Sequence, residues 1–257
     1  MNAYSLANKV ALVTGVTRRQ GIGAASALAL ARAGADVCTA YYRPYDRTMP
    51  WGVADSEPEE IVNELCATGV RAHGFEIDLA QPDGPGILFQ QARERFGHID
   101  ILVNNAAYSA ETPVEKVSTA ELDRHYAVNL RAVILLSVEF VRCFPAKGTG
   151  RIVNLTSGQG IGPLPNELAY AATKGGVESF TLSLSAALAS RGITVNAVDP
   201  GPTDTGWMPA GLRESLRGAA PMGRLGTPQD AAQVIAFLAS EEAGWVTGQV
   251  IRSRGAS

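Results

Sequence analysis

Short apolar runs rich in β-branched residues alternate with longer Ala- and Leu-rich stretches along almost the whole chain. This rhythm restricts the possible folds more than any single residue does. Val10–Thr14 reads as a strand, Gly21–Ala33 as a helix stopped by Gly34, and Asp36–Tyr42 as the next strand. Helices follow over Glu57–Thr68, Gly84–Phe96, Thr119–Cys143, Asn166–Ser190 and Thr227–Ala239. Between and after them lie strands at Val70–Ile77, Ile99–Val103, Arg151–Thr156, Thr194–Val198 and Gly248–Ile251. The strands are continuously apolar, as strands covered on both faces are. Such alternation predicts an α/β fold: a doubly wound parallel sheet of about seven strands with helices on both faces, in one domain over residues 1–257. A ligand site is then expected outside the carboxyl ends of the strands. Two connections break the rhythm, Arg43–Ser56 and Thr203–Leu225. The second carries Trp207, Met208, Leu212 and Met222, and residues 203–225 are expected to face the substrate, since long connections in such domains are usually functional.

Composition removes several classes of function. A chain of 257 residues, 46% hydrophobic, can bury a large core. Its net charge of -3 offers nucleic acid no attractive field. Cys38, Cys66 and Cys143 are odd in number and far apart, which suggests free thiols in a reducing cytosol and no zinc site. No stretch reaches the roughly 18 apolar residues that span a bilayer. The opening MNAYSLANKV lacks the basic and apolar regions of a signal peptide, so a cytoplasmic protein without metal or membrane contact is expected.

The first strand runs into TGVTRRQGIG, Thr14 to Gly23, and a helix follows at once. Gly15, Gly21 and Gly23 allow a tight turn and close approach to a pyrophosphate, which the helix N-terminus would then attract. A carboxylate ending the second strand would favour NAD by binding its ribose 2′-hydroxyl. Here that strand ends in Tyr41, Tyr42 and Arg43, and Asp46 comes several residues later. Arg18 and Arg19 stand in the glycine loop, where guanidinium groups suit a 2′-phosphate. NADP(H) is therefore expected over NAD(H).

Ser157, Tyr170 and Lys174 are separated by twelve and three residues within SGQGIGPLPNELAYAATK. The Tyr–Lys spacing puts phenol and ammonium on one helix face, one turn apart. A free tyrosine, with a pKa of about 10, is a poor acid or base at neutrality, and a neighbouring cation favours its phenolate. A serine hydroxyl close by can hold a carbonyl or alkoxide oxygen. The three together suit proton transfer at an oxygen while a hydride moves elsewhere.

In this order, these features resemble the short-chain dehydrogenase/reductase family from Lys9 to about Ile251. TGVTRRQGIG is similar to its glycine loop, with two additional residues between Gly15 and Gly21. Asp78 in EIDL resembles the aspartate near the adenine, Asn104-Asn105-Ala106-Ala107 the NNAG motif, and Asn129 in AVNL the asparagine of the fourth helix. DPGPTDT, from Asp199 to Thr205, resembles the segment around the nicotinamide. The resemblance implies a Rossmann-like fold. Tyr170 would act as acid or base, Lys174 would hold the nicotinamide ribose and lower the phenol's pKa, Ser157 would bind the reacting oxygen, and Asn129 would hold a relay water. The implied cofactor contacts are Gly15, Thr17, Arg18, Arg19, Gly21, Ile22, Gly23, Tyr41, Tyr42, Arg43, Asp78, Leu79, Asn105, Ala106, Ala107, Tyr170, Lys174, Pro200, Gly201, Thr203 and Thr205. The implied activity is hydride transfer between NADP(H) and a small carbonyl or alcohol, in the manner of a 3-oxoacyl reductase or another ketone reductase. The longer glycine loop is similar to that of the family's enoyl (C=C) reductases, but the three-residue Tyr–Lys gap favours carbonyl chemistry. A non-catalytic NADP-binding sensor is the remaining alternative. Relatives commonly form homo-oligomers, tetramers or dimers, through the helices that hold Asn129 and Tyr170. The ending IRSRGAS stands where relatives have an acidic and glycine ending that often lies at a subunit contact.

Overall fold

Residues 4–145 and 148–256 are described by a computed structural model of the chain. Its strands are β1 Val10–Thr14, β2 Asp36–Tyr41, β3 Ala72–Glu76, β4 Ile101–Asn104, β5 Gly150–Leu155, β6 Ile193–Asp199 and β7 Val250–Arg252. All seven lie parallel in one sheet, in the order β3-β2-β1-β4-β5-β6-β7. The helices are α1 Ile22–Arg32, α2 Arg43–Thr48, α3 Glu57–Cys66, α4 Gly84–Phe96, α5 Thr119–Tyr126, α6 Ala132–Cys143, α7 Leu168–Leu188, α8 Ala210–Ala219 and α9 Pro228–Ala239. The expected Rossmann-like architecture is therefore present, with its strand order reversing between β1 and β4.

Successive strand residues point to opposite faces, and the two cores follow that rule. Ala11 and Val13 of β1 pack on one face with Ala27 and Leu30 of α1 and Ile235 and Leu238 of α9. Val10 and Leu12 pack on the other with Leu88 and Phe89 of α4 and Leu136 and Phe140 of α6. Truncating a fully buried leucine such as Leu12 to alanine would cost about 2–5 kcal/mol. Cys38 lies in the second core, where burial pushes its thiol well above the ordinary range.

Three expectations are corrected. The connection from Arg43 opens with a helical turn and a half, α2, started by Pro44 near its N-terminus. The 203–225 stretch contains α8, whose residues are all outside the core; its flanking Pro209 and internal Gly211 and Gly218 hid the helix from the periodic pattern. The long helix expected over Thr119–Cys143 is interrupted by a π-helical turn at Ala127–Arg131, which holds Asn129. A π turn inserts one extra residue without breaking the helix, so apolar spacing does not reveal it.

Candidate functional site

The carboxyl ends of β1 and β4 are locked together around Gly15. Thr14 Oγ1 accepts the backbone N–H groups of Asn105 and Ala106, each at 3.0 Å. The Asn105 side chain donates to the carbonyls of Thr14 at 2.8 Å and Gly15 at 3.1 Å. Gly15 has φ +73°, and a side-chain carbon there would lie 2.8 Å from the Ala106 Cα. Only glycine fits that approach. Helix α1 then begins after Gly21 with no side-chain cap and no acid in its first turn. Its positive end and unpaired N–H groups stay available to an anion, and the donor set fits the pyrophosphate of a dinucleotide. Thr17 is buried and accepts from the Tyr42 N–H at 3.5 Å. Ile22 packs against the first core, while Leu79 and Ala106 pack with the second.

The expected 2′-phosphate residues do not converge on one point. Arg18 turns to Asp46 at 3.1 Å, stacks on Trp51 and donates to the Thr205 carbonyl at 3.1 Å. Arg19 turns outward to Glu60 at 3.1 Å and Glu64 at 3.6 Å of α3. Arg43 lies over the Tyr41 ring and pairs with Glu76 at 2.6 Å and Glu59 at 3.6 Å. The end of β2 carries no acid of its own, yet α3 and β3 bring two carboxylates there. Burial and the nearby Asp78 carboxylate raise the Tyr42 phenol above its ordinary range, and Asp78 also accepts the Ala80 N–H at 2.8 Å.

Around the other candidates the elements converge. Ser157 follows β5, and its hydroxyl lies close enough to the phenol of Tyr170, in the first turn of α7, to favour the phenolate. Lys174, one turn further on, is buried and donates to the Leu155 carbonyl at 2.8 Å; its Nζ is 5.5 Å from the Tyr170 ring centre. Burial pushes the ammonium down to about 8. Burial also pushes the Tyr170 phenol well above its ordinary range, with Glu167, Tyr45 and Asp199 adding to the rise and the Ser157 hydroxyl opposing it. The ring keeps some exposed surface while its hydroxyl end is desolvated. Lys174 is not among the groups that shift the phenol here, although its Nζ lies over the Tyr170 ring.

Asn129 is fully buried. Its oxygen accepts the Tyr108 N–H at 2.7 Å, and its amide donates to the Tyr108 carbonyl at 2.9 Å and to Thr173 Oγ1 at 3.2 Å. It therefore ties the loop after β4, which continues through Ala107 to Tyr108, to the helix carrying Tyr170. After β6, Pro200 and Gly201 are held by Thr203 Oγ1, which donates to the Pro200 carbonyl at 3.0 Å. Thr205 follows and gives its carbonyl to Arg18.

Sequence reasoning missed Tyr45, Tyr108 and His125. Tyr45 of α2 accepts the Ser109 N–H at 3.2 Å, and its phenol, pushed up to about 12 by burial, is close enough to act on Tyr170. Its ring centre is 5.5 Å from that of Tyr108, which stands 4.8 Å from buried His125. His125 receives the Ala110 N–H on Nε2 while Nδ1 faces the Glu121 carbonyl, an arrangement that fits a neutral ring protonated on Nδ1. No periodic pattern marks these residues, because their contacts join separate loops. Among the described residues no cluster of three His, Cys, Asp or Glu side chains could hold a metal, and no helix is long and apolar enough to cross a membrane.

A family model described as "Enoyl-(Acyl carrier protein) reductase" matches residues 15–255. The uncharacterized oxidoreductase YjdA of Bacillus subtilis is 46% identical over 249 residues, 96% of each chain. The promiscuous reductase LugOII, which catalyses keto-reduction at C1 during lugdunomycin biosynthesis, has a solved structure that superposes with TM-score 0.86 at 38% identity over 98% of each chain. The landomycin C-6 ketoreductase LanV, solved with bound NADP and rabelomycin, superposes with TM-score 0.84 at 36% identity, over 98% of this chain and 97% of that one.

Proposed function

Because the chain belongs to the short-chain dehydrogenase/reductase family of oxidoreductases acting on carbonyl and alcohol groups, we propose that it is an NADPH-dependent ketone reductase. The observation that carries this reading is the approach of the Ser157 hydroxyl to the Tyr170 phenol beside buried Lys174. It presents two hydroxyl donors to one oxygen, with a cation one turn away. The bound nicotinamide supplies the hydride. Ser157 holds the carbonyl oxygen, and Tyr170 gives it a proton as negative charge develops there. Lys174 is placed to bind the ribose hydroxyls and to oppose the negative charge left on the phenol. Asn129 keeps the Tyr108 loop and α7 in register, where the resemblance also gives it a relay water.

Cofactor choice rests on charge. Arg19, held only by exposed carboxylates of α3, can turn to a 2′-phosphate, and LanV was solved with NADP. Gly15, Thr17, Gly21, Ile22, Gly23, Asp78, Leu79, Asn105, Ala106 and Ala107 would line the dinucleotide, and Pro200, Gly201, Thr203 and Thr205 the nicotinamide. The 203–225 stretch would cover the substrate in a single-domain, cytoplasmic homo-oligomer. The matching family model favours a second reading, reduction of an activated C=C bond.

The test is NADPH and NADH oxidation by purified protein with ethyl acetoacetate, 1-tetralone and cyclohexenone, followed by product analysis. Reduced C=O with NADPH preferred is expected, and saturated ketone from cyclohexenone would select the second reading. Tyr170→Phe should retain NADPH binding and lose about 10²–10⁴-fold in kcat. A variant within about tenfold of the wild type would remove Tyr170 from the chemistry. Binding without turnover on any substrate would point to a sensor.

A further inference from the structure

The C-terminal tail returns to the candidate site. β7 lies beside β6 with Arg252 opposite Asp199, and the Ser253 N–H donates to the Asp199 carbonyl at 2.8 Å. The next residue turns inward. Arg254 Nη1 sits 3.2 and 3.1 Å from the two carboxylate oxygens of Asp199. The Asp199 side chain is 1% exposed and that of Arg254 16%. The same carboxylate accepts the Gly201 N–H at 2.9 Å.

The guanidinium also lies against the residue that follows Ser157. A side-chain carbon on Gly158 would stand 2.6 Å from Arg254 Nη1, and one on Gly201 would stand 2.8 Å from Arg254 Cγ. These two glycines leave the space that the arginine fills. Three segments therefore meet at one buried ion pair: the turn after Ser157, the Pro200–Gly201 turn and the tail.

Asp199 is also among the groups whose charge reaches the Tyr170 phenol. The others are Glu167 at the start of α7 and Tyr45 from α2, with Ser157 close to the phenol and Lys174 one turn on. A carboxylate so placed disfavours the phenolate, and a cation held on it cancels that effect.

We infer that Arg254 is a positioning residue for proton transfer at Tyr170, its ion pair with Asp199 fixing the turns that carry Ser157 and Gly201 and neutralising a carboxylate whose field reaches the phenol. The inference rests on the reductase reading above for its catalytic consequence, and on the ion pair alone for its structural one.

The test compares Arg254→Gln, Arg254→Lys and Asp199→Asn/Arg254→Gln with the wild type, using the panel ketone reduced fastest, its alcohol, and NADP(H). Arg254→Gln should lower kcat about tenfold with the NADPH KM changed less than about threefold. Alcohol oxidation needs the phenolate, so the ascending limb of its pH profile should move up by about one pH unit, the sign expected for an unneutralised anion beside a phenol. The double variant should return the limb to its wild-type position, and Arg254→Lys should keep it there. A merely structural loss would lower kcat without moving the limb and would not be corrected by Asp199→Asn.

Hydrogen exchange at Gly158–Ile161 and Gly201–Thr203 supplies a readout that needs no turnover. It should quicken about tenfold in Arg254→Gln. A folded Arg254→Gln whose limb stays within about 0.3 pH unit of the wild type overturns the inference, whatever its exchange. If no ketone is reduced by the wild type, the reductase reading fails. Exchange then decides the structural part: faster amides support the latch, and unchanged amides overturn it. If Arg254→Gln does not fold, Arg254→Met takes its place in the same comparison.

Discussion

Lys174 is held in the structure at a cost. Its ammonium is buried against the Leu155 carbonyl, and burial lowers it from 10.5 to about 8. Between those two values the unfolded chain binds the proton more readily than the folded one. Stability therefore rises with pH through the window from about 8 to about 10.5, and the penalty is fully present below pH 8. At about 1.4 kcal/mol per pKa unit the penalty is on the order of 3 kcal/mol, against which a lost hydrogen bond sets about 1 kcal/mol. Lys174→Met should accordingly stabilise the fold at pH 7 by about 1–2 kcal/mol, a rise of roughly 2–8 °C in Tm, while removing most activity. Thermal unfolding at pH 7 and pH 10 checks the sign: the gain should shrink at the higher pH, and a gain equal at both would mean that packing, not charge, is responsible. At this scale the sequence was informative where residues share one element. Tyr170 and Lys174 are legible because four residues is one helical turn. Tyr45 and Arg254 are not, because each meets the site across a gap of more than 50 residues.

The glycine loop behaves as part of a larger assembly of elements. Arg18 joins it to α2 through Asp46, to Trp51 by stacking, and to the 203–225 stretch through Thr205. Arg19 holds only exposed partners on α3, pairs of a kind worth about 0–1 kcal/mol, so it can turn toward a phosphate at little cost. Replacing both with alanine should weaken the preference for NADPH. The single variants should differ: Arg19→Ala should reduce the NADPH-to-NADH ratio of kcat/KM, and Arg18→Ala should raise both KM values together. Equal effects of the two would contradict this division of roles. Strands and core helices were legible because apolar residues recur at the element's own period. α2, α8 and the π turn at Asn129 were not. Pro44 masks the first, Pro209 with Gly211 and Gly218 masks the second, and the third shifts the helical phase by one residue.

On the scale of the whole molecule, α7 presents an outward face that the core does not use. Leu182 is 63% exposed and Leu168 40%, beside exposed Ala172 and Ser183 and half-buried Phe180. A self-complementary contact between two copies of this face would make a dimer, the commonest closed assembly, and would clamp the helix that carries Tyr170 and Lys174. Light scattering at micromolar concentration should give a mass that is a multiple of 27.0 kDa. Phe180→Glu should lower mass and turnover together, and an active wild-type monomer would exclude the idea. The strand order has a consequence in time as well as in space. β1 emerges first in synthesis, but its neighbour β4 comes some 90 residues later, and the register Ala11–Ile101 is what brings Gly15 against Asn105. Until the ribosome has released Asn105, a nascent chain can pair β1 only with β2. Every truncated product ending before that residue has the glycine loop but not the wall against which it folds.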